Sequence, residues 1–436
     1  MASKSALDIL SLEPFPETGR VTAIRAGAIE ADGPDCPVGA RCLIESRDKG
    51  RPPLPARVAA VGDGKVILAP FASPDGLQLV DRVSVVQANS GALAGNGFAG
   101  RAVNGLAMPI DGGPTITGEA RRGRPLATLD RLSPSKPFLS GVRAIDGLLT
   151  LGHGQRVGIF AASGVGKTRL VEQIIRQHNC QRAVICLVGE RGREVEALWR
   201  NLSAPETRAR TTLVAATADE MASMRIQAVE QALALAEHWR DAGEDVLLVV
   251  DSITRYAMAL REIGLMSGEP PTVRAYTPNI FRELPSVVER CGADRNGGTI
   301  TAIFTVLSES DDVDDPLVEV MKSLLDGHIL LSRRLAQAGQ FPAIDIGRSI
   351  SRLFDALVDP EQSAAAVHCR SLLARYEESR ILIESGMYRA GSDRELDEAI
   401  DARPAVLAYV QQASDERTDA REARAGLMAL MQKACR

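Results

Sequence analysis

The chain has 436 residues, 45% of them hydrophobic and 25% charged, too many for one core and ordinary for a soluble protein of two or three globular units. A net charge of −5 argues against a nucleic-acid binder that works by broad phosphate neutralisation, and no apolar run approaches the ~20 residues needed to cross a bilayer. The seven cysteines show neither CxxC pairing nor histidines at zinc-ligand spacing, and the start lacks the apolar stretch of a signal peptide, so a cytoplasmic protein with reduced thiols is expected.

In chain order, Ala6–Leu12 comes first, about two helical turns carrying apolar Leu7, Ile9, Leu10 and Leu12. From Gly19 to Gln87 the texture is short β-rich runs split by Gly, Pro and Asp. Strand candidates are Arg20–Glu30, Ala40–Glu45, Arg57–Val61, Lys65–Ala69 and Asp81–Gln87, with a hairpin signal at Gly62-Asp63-Gly64. Together they predict a small β-barrel, the first domain, within residues 1–88. Residues 88–140, rich in Gly and Pro, read as a long connection.

From Gly141 to Asp359 apolar strands alternate with helices, the rhythm of a parallel sheet covered on both faces. The strands are Arg156–Ala161, Ala183–Val188, Val246–Val250, Ile300–Leu307 and His328–Leu331; Arg169–His178 and Met221–Trp239 are helical. This second domain is placed at 89–358. After Pro360 the chain turns helical over Gln362–Ser385, Glu395–Ala399 and Pro404–Gln412, which predicts a helical third domain at 359–436.

The sharpest local signal is Ala161-Ala162-Ser163-Gly164-Val165-Gly166-Lys167-Thr168, between an apolar strand and a helix. Gly164 and Gly166 let successive backbone N–H groups turn inward around phosphates, and the helix N-terminus adds partial positive charge. Lys167 can reach the β- and γ-phosphates and the Thr168 hydroxyl can ligate Mg²⁺, so the segment reads as a P-loop with ATP and Mg²⁺ as its ligands. Ala161 stands where the usual pattern begins with Gly. The strand Val246–Val250 ends in Asp251, which suits a metal partner acting through water. Glu190, in Gly189-Glu190-Arg191-Gly192-Arg193-Glu194, follows a third strand. Read from the residues alone, it is either a carboxylate that polarises attacking water or part of a solvated charge cluster at a helix start.

Three blocks, Gly189–Val195, Asp251-Ser252-Ile253-Thr254-Arg255-Tyr256-Ala257-Met258-Ala259 and Gly268-Glu269-Pro270-Pro271, resemble the type III secretion ATPases, relatives of the catalytic subunit of the rotary ATP synthase. The likeness runs on through Leu284–Arg290, Asp326–Ile329, Phe341–Asp345, Ser349–Arg352 and Gly386–Asp393, and spans residues 20–412 in order. It implies an α/β P-loop NTPase core of RecA/ATP-synthase type with an N-terminal β-barrel and a C-terminal α-helical domain. It further implies that Glu190 orients water, that Arg191 and Arg255 lie near the γ-phosphate of the same subunit, and that Arg352 enters the neighbouring subunit's site. Phe341, with Tyr388 on the other side, would pack on adenine. A homohexamer is implied, with stator-like and central stalk-like partners, export substrates and chaperones, and a peripheral place at a membrane export gate. Arg255–Ala259 leans toward the flagellar branch over the injectisome branch.

Two departures from the family pattern stand out: Tyr276-Thr277-Pro278-Asn279 replaces its usual Tyr-Pro-Pro-Ser, and the segment ahead of Gly19 is short for its regulator-binding arm. Three rivals are weaker. No acidic lever motif of a rotary synthase subunit follows Pro360, and Glu190 argues against a non-catalytic ring subunit. An RNA translocase would stack bases on aromatics in its N-terminal module, where residues 20–87 contain only Phe71.

Overall fold

The computed structural model describes residues 18–25, 27–48, 50–87, 91–308 and 315–434. The amphipathic stretch Ala6–Leu12 lies outside the described residues. Six strands close into a barrel in the order β1-β2-β5-β4-β3-β6: β1 (Thr18–Arg25), β2 (Ala28–Ala31), β3 (Arg41–Glu45), β4 (Leu54–Gly62), β5 (Lys65–Pro70) and β6 (Arg82–Gln87). Alternating residues such as Leu54, Ala56 and Val58 point inward and join Ile29, Ile44, Leu68 and Val83 in one core. The expected β4–β5 hairpin forms, with Asp63 and Gly64 both at positive φ (52° and 69°), the backbone that suits a two-residue turn. The run Arg20–Glu30, expected as one strand, is instead an antiparallel pair. It reverses beside Gly27, whose φ of 87° is open to glycine at little cost.

The central sheet is built on β7 (Ala102–Asn104), β8 (Arg156–Ala161), β9 (Arg182–Glu190), β10 (Thr211–Thr217), β11 (Asp245–Asp251), β12 (Thr299–Leu307), β13 (Gly327–Leu330) and β14 (Ile350–Ser351). Its main path runs β14-β13-β8-β12-β11-β9-β10-β7, parallel throughout except for β14. Residues 88–140 are therefore more than a connection, because β7 forms the sheet's far edge. Three residues are too few to show a period. The edge is fastened by Asp111, which accepts from Arg101 Nε at 2.7 Å and from the Ala102 amide at 3.0 Å.

Helices cover both faces: α1 (Arg143–Leu148), α2 (Lys167–Gln177), α3 (Gly192–Asn201), α4 (Ala222–Asp241), α5 (Ile253–Met266) and α6 (Pro278–Glu289). α4 is buried almost all round, from Ala228 through Leu233 to Trp239, and its buried face includes the polar Gln227, Gln231 and Glu237. Its buried Glu237 is paired with Arg290, Oε1 to Nε at 2.7 Å, so this charge is satisfied away from water. Beyond the sheet stand α7 (Pro360–Glu384), α8 (Arg394–Val410) and α9 (Ala420–Ala434). The two short helices expected around Pro404 are one. Pro404 removes an amide from the ladder, but Leu396, Ala399, Ala402, Val406 and Val410 form a continuous buried face across it, and packing outweighs that loss.

At the amino-terminal edge of the sheet, His178 is buried. Its Nδ1 accepts the Cys180 amide at 3.1 Å, and Arg210 Nη1 donates to the carbonyl oxygens of His178 and Cys180. Burial, then Arg210 and then His153, push the His178 pKa from 6.5 down to about 3. As pH falls below 6.5 the unfolded chain takes up a proton that the native state refuses. Stability is thus expected to drop, by ~2 kcal/mol near pH 5 from this residue alone. The stability gap between the parent chain and His178→Gln should shrink on acidification in denaturant titrations; a gap independent of pH would remove His178 from the acid response.

Candidate active site

Four strand ends meet at the carboxyl edge of the sheet, the edge where open α/β folds bind ligands. The order β8-β12-β11-β9 places the ends of β8 and β9 on either side of β12 and β11. From buried Ala161 the chain passes half-buried Ala162 and exposed Ser163, then enters α2. Gly164 and Gly166 have φ of 81° and 91°, a region that other residues rarely occupy. Val165 between them is buried and anchors the loop in the core beneath. The residue at the N-cap of α2 is Gly166, which has no side chain to cap the helix, so the amides of its first turn suit an anion.

Lys167 occupies the first position of α2. Its Nζ is hydrogen-bonded to Asp251 Oδ1 and lies 3.9 Å from Glu190 Oε1. Asp251, buried at the end of β11, also accepts from Thr305 Oγ1 on β12 at 2.6 Å. Glu190 ends β9 after a break in register between Val188 and Glu190, where Gly189 has a φ of 68°. An irregularity of this kind re-aims the side chain that follows it. Arg255, in the first turn of α5, brings Nε to 3.6 Å from Glu190 Oε1. That Nε is buried and has no hydrogen-bond partner among the described residues, so it is a donor in reserve. Ser252 caps α5, its Oγ accepting the Arg255 amide.

Burial raises the Glu190 pKa, and the Asp251 carboxylate adds to the rise, while Lys167 and Arg255 oppose it. Two carboxylates thus share one small, partly dry site with two cations between and beside them. The site has the donor set of a phosphate and divalent-metal centre: the amides of a glycine loop at a helix start, a lysine, an arginine, and the hard oxygens of Thr168 and Asp251. Thr168 is exposed on the first turn of α2. Phe341 lies against the loop, since a Cβ built on Gly166 would stand 3.2 Å from its ring.

Other expected site residues lie apart. Arg191 is exposed at the start of α3. Arg352 is exposed just past β14, its Nη2 3.3 Å from the Lys322 carbonyl oxygen. The Tyr388 hydroxyl lies 2.8 Å from Asp397 Oδ1, between α7 and α8. Among the described residues, none of these three is hydrogen-bonded or ion-paired to the group of Lys167, Glu190, Asp251 and Arg255. Thr305 was not anticipated. Its only signal is a hydroxyl inside the apolar strand of Ile303, Phe304 and Val306.

The chain is similar to known proteins over nearly its whole length. Residues 141–351 match the model of the ATP synthase alpha/beta family, nucleotide-binding domain, and residues 358–429 match that of the T3SS EscN ATPase C-terminal domain. The chain is 38% identical to the flagellum-specific ATP synthase of Bacillus subtilis, with 99% of both chains covered. It superposes on the assembled ATPase EscN of the enteropathogenic E. coli type III secretion system with a TM-score of 0.88 at 37% identity, covering 94% of this chain and 99% of EscN. A second structure, EscN in complex with its central stalk EscO, gives a TM-score of 0.84 at 36% identity, with the same coverage. A barrel closed by six strands, a P-loop at the head of a parallel sheet and a helical end thus occur together with this likeness over nearly the whole chain. The chain is therefore an ATPase and belongs to the flagellar and type III secretion branch of the ATP synthase alpha/beta family.

Proposed function

We propose that this chain binds Mg-ATP at Ala161–Thr168 and hydrolyses it as one subunit of a homohexamer that assists type III protein export, in the flagellar setting. The observation that carries this reading is the convergence of Lys167, Asp251, Glu190 and Arg255 on one sheet edge, while Arg352 is exposed outside that group. A site that gathers its lysine, carboxylates and one arginine while Arg352 stands exposed outside it suits completion by a neighbouring subunit.

In this reading, the amides of 164–168 hold the β- and γ-phosphates, and Lys167 turns from the two carboxylates to the incoming phosphate oxygens. Thr168 and, through water, Asp251 would hold Mg²⁺, which when bound neutralises charge on the transferring phosphate. Thr305 keeps Asp251 oriented by its 2.6 Å hydrogen bond. Glu190 accepts a proton from the attacking water and aligns it, a role suited by a carboxylate whose pKa burial has raised. Arg255 Nε, which has no hydrogen-bond partner among the described residues, donates to the γ-phosphate, and Arg191, exposed at the start of α3, would have to turn toward it. Arg352 of one subunit stabilises the transition state in the next. Phe341, and Tyr388 after a shift of the C-terminal helices, flank adenine.

The partners follow from the relatives. EscN was solved with its central stalk EscO, so a stalk-like partner against the helical end of the ring is proposed here. Stator-like regulators, export substrates with their chaperones, and peripheral contact with a membrane export gate from the cytoplasm complete the reading. Among the described residues no helix is long and apolar enough to cross a membrane. Flagellar export is preferred on Arg255-Tyr256-Ala257-Met258-Ala259, and injectisome export is the alternative that the likeness to EscN keeps in view.

The test is the ATPase rate against protein concentration at constant Mg-ATP, with particle mass followed in parallel. Specific activity is expected to rise steeply as hexamers appear. A flat specific activity from a persistent monomer would mean that one chain holds the whole site, and the ring would have to be given up.

A further inference from the structure

Gln412, just past the end of α8, is buried and fully engaged. Its Oε1 accepts the Arg143 amide at 2.9 Å. Its Nε2 lies 2.8 Å from the Gly141 carbonyl oxygen, 3.0 Å from that of Glu416 and 3.2 Å from Thr418 Oγ1. Its own amide donates to the Phe341 carbonyl oxygen at 2.9 Å. One residue thus touches three separate parts of the molecule: the entry to α1, the segment that leans on the P-loop, and the turn between α8 and α9.

Arg143 doubles this connection. Its Nε donates to the Tyr409 carbonyl oxygen at 3.0 Å and its Nη2 to that of Gln411 at 2.6 Å, while Nη1 pairs with Glu416. Most of these bonds cross from the sheet domain to the C-terminal helices. Phe341, the remaining partner, has its ring against Gly166. A displacement of the Phe341 backbone must therefore either carry Gln412 with it or break a buried hydrogen bond, and losing such a bond is costly.

We propose that Gln412 is a positioning residue for the ATPase reaction, coupling the seating of Phe341 beside the P-loop to the docking of the C-terminal helices. The proposal rests on the reading that nucleotide binds against Phe341. The coupling is reciprocal: nucleotide that settles Phe341 steadies α8 and α9, and helices that are pulled away loosen the nucleotide. Neither Gln412 nor Arg143 needs to touch the substrate for this.

The experiment uses the full chain and Mg-ADP. ADP affinity, steady-state kinetics and amide exchange with and without ADP are compared for the parent chain, Gln412→Met and Arg143→Lys. Gln412→Met keeps the shape and the backbone amide but loses the side-chain bonds. Arg143→Lys keeps the charge facing Glu416 but loses the fork onto the two carbonyls. In the parent chain ADP is expected to slow exchange in both α2 and the segment 394–434. In the variants, protection of α2 by ADP should persist while that of 394–434 is lost. ADP should bind roughly five- to tenfold more weakly. KM should rise with kcat at saturating ATP held within about twofold, a split that loss of stability alone does not produce. Variants that keep ADP-dependent protection over 394–434 would overturn the proposal. So would a parent chain that binds ADP with no change there, whereas a parent chain that binds no ADP would sink the nucleotide-site reading itself.

Discussion

Glu190→Gln is expected to bind ATP as well as the parent chain or better, while turnover falls roughly 10²–10⁴-fold, the range for losing a positioned general base. The substitution keeps the side-chain volume and removes one negative charge. In the site as it stands, Glu190 and Asp251 repel each other across Lys167, with Asp251 among the groups that raise the Glu190 pKa. Removing one of the two carboxylates relieves that repulsion and leaves Lys167 freer to meet phosphate oxygens, so binding does not suffer. What is lost is the acceptor for the proton of the attacking water, since an amide oxygen is too weak a base. The measurement is single-turnover hydrolysis beside equilibrium nucleotide binding. Near-normal turnover would take Glu190 out of the mechanism and leave it as a partner of Arg255.

The second large effect belongs to Arg352. Arg352→Ala is expected to be inactive alone, by roughly 10³–10⁵-fold, as for other arginines that complete a phosphoryl-transfer site. It should regain activity when mixed with Lys167→Ala, itself inactive. The reason is geometric. Arg352 is exposed, held through its backbone amide to the Asp326 carbonyl oxygen at 3.0 Å and through Nη2 to that of Lys322. Its own chain's Lys167 is committed to Glu190 and Asp251. In a mixed ring, each interface that pairs an intact P-loop with an intact Arg352 from the next subunit is whole; random assembly in equal parts makes about a quarter of interfaces so. If mixed rings form, as tagged copies can establish, and no mixing ratio restores turnover, Arg352 acts within its own chain or only structurally.

Much of this site was legible because its parts are local. Ala161–Thr168 needs only a strand, two glycines at positive φ and a helix start, all written in adjacent residues. Asp251 and Glu190 could be placed at strand ends because buried parallel strands read as unbroken apolar runs that stop at a charge. The β4–β5 hairpin was visible for the same reason, as two apolar runs around an Asp-Gly turn. The errors came where the local signal was short or outvoted. β7 has three residues, Gly27 hides a reversal inside an apparently single run, and Pro404 reads as a break that a continuous buried face overrides.

Adjacent residues are enough to read the phosphate loop, its two strand-end carboxylates, and a family likeness carried by contiguous blocks. Which strand ends become neighbours emerges only in the folded sheet. The order β8-β12-β11-β9 brings Thr305 onto Asp251 and spans the distance from Lys167 to Glu190, although these residues lie far apart along the chain. The fold likewise sets Phe341 against Gly166 and hydrogen-bonds the Gln412 amide to the Phe341 carbonyl oxygen. A side chain's partners across a sheet or between domains are set by hydrogen-bonded register and packing over long sequence separations. No pattern within a few residues of the chain encodes those contacts.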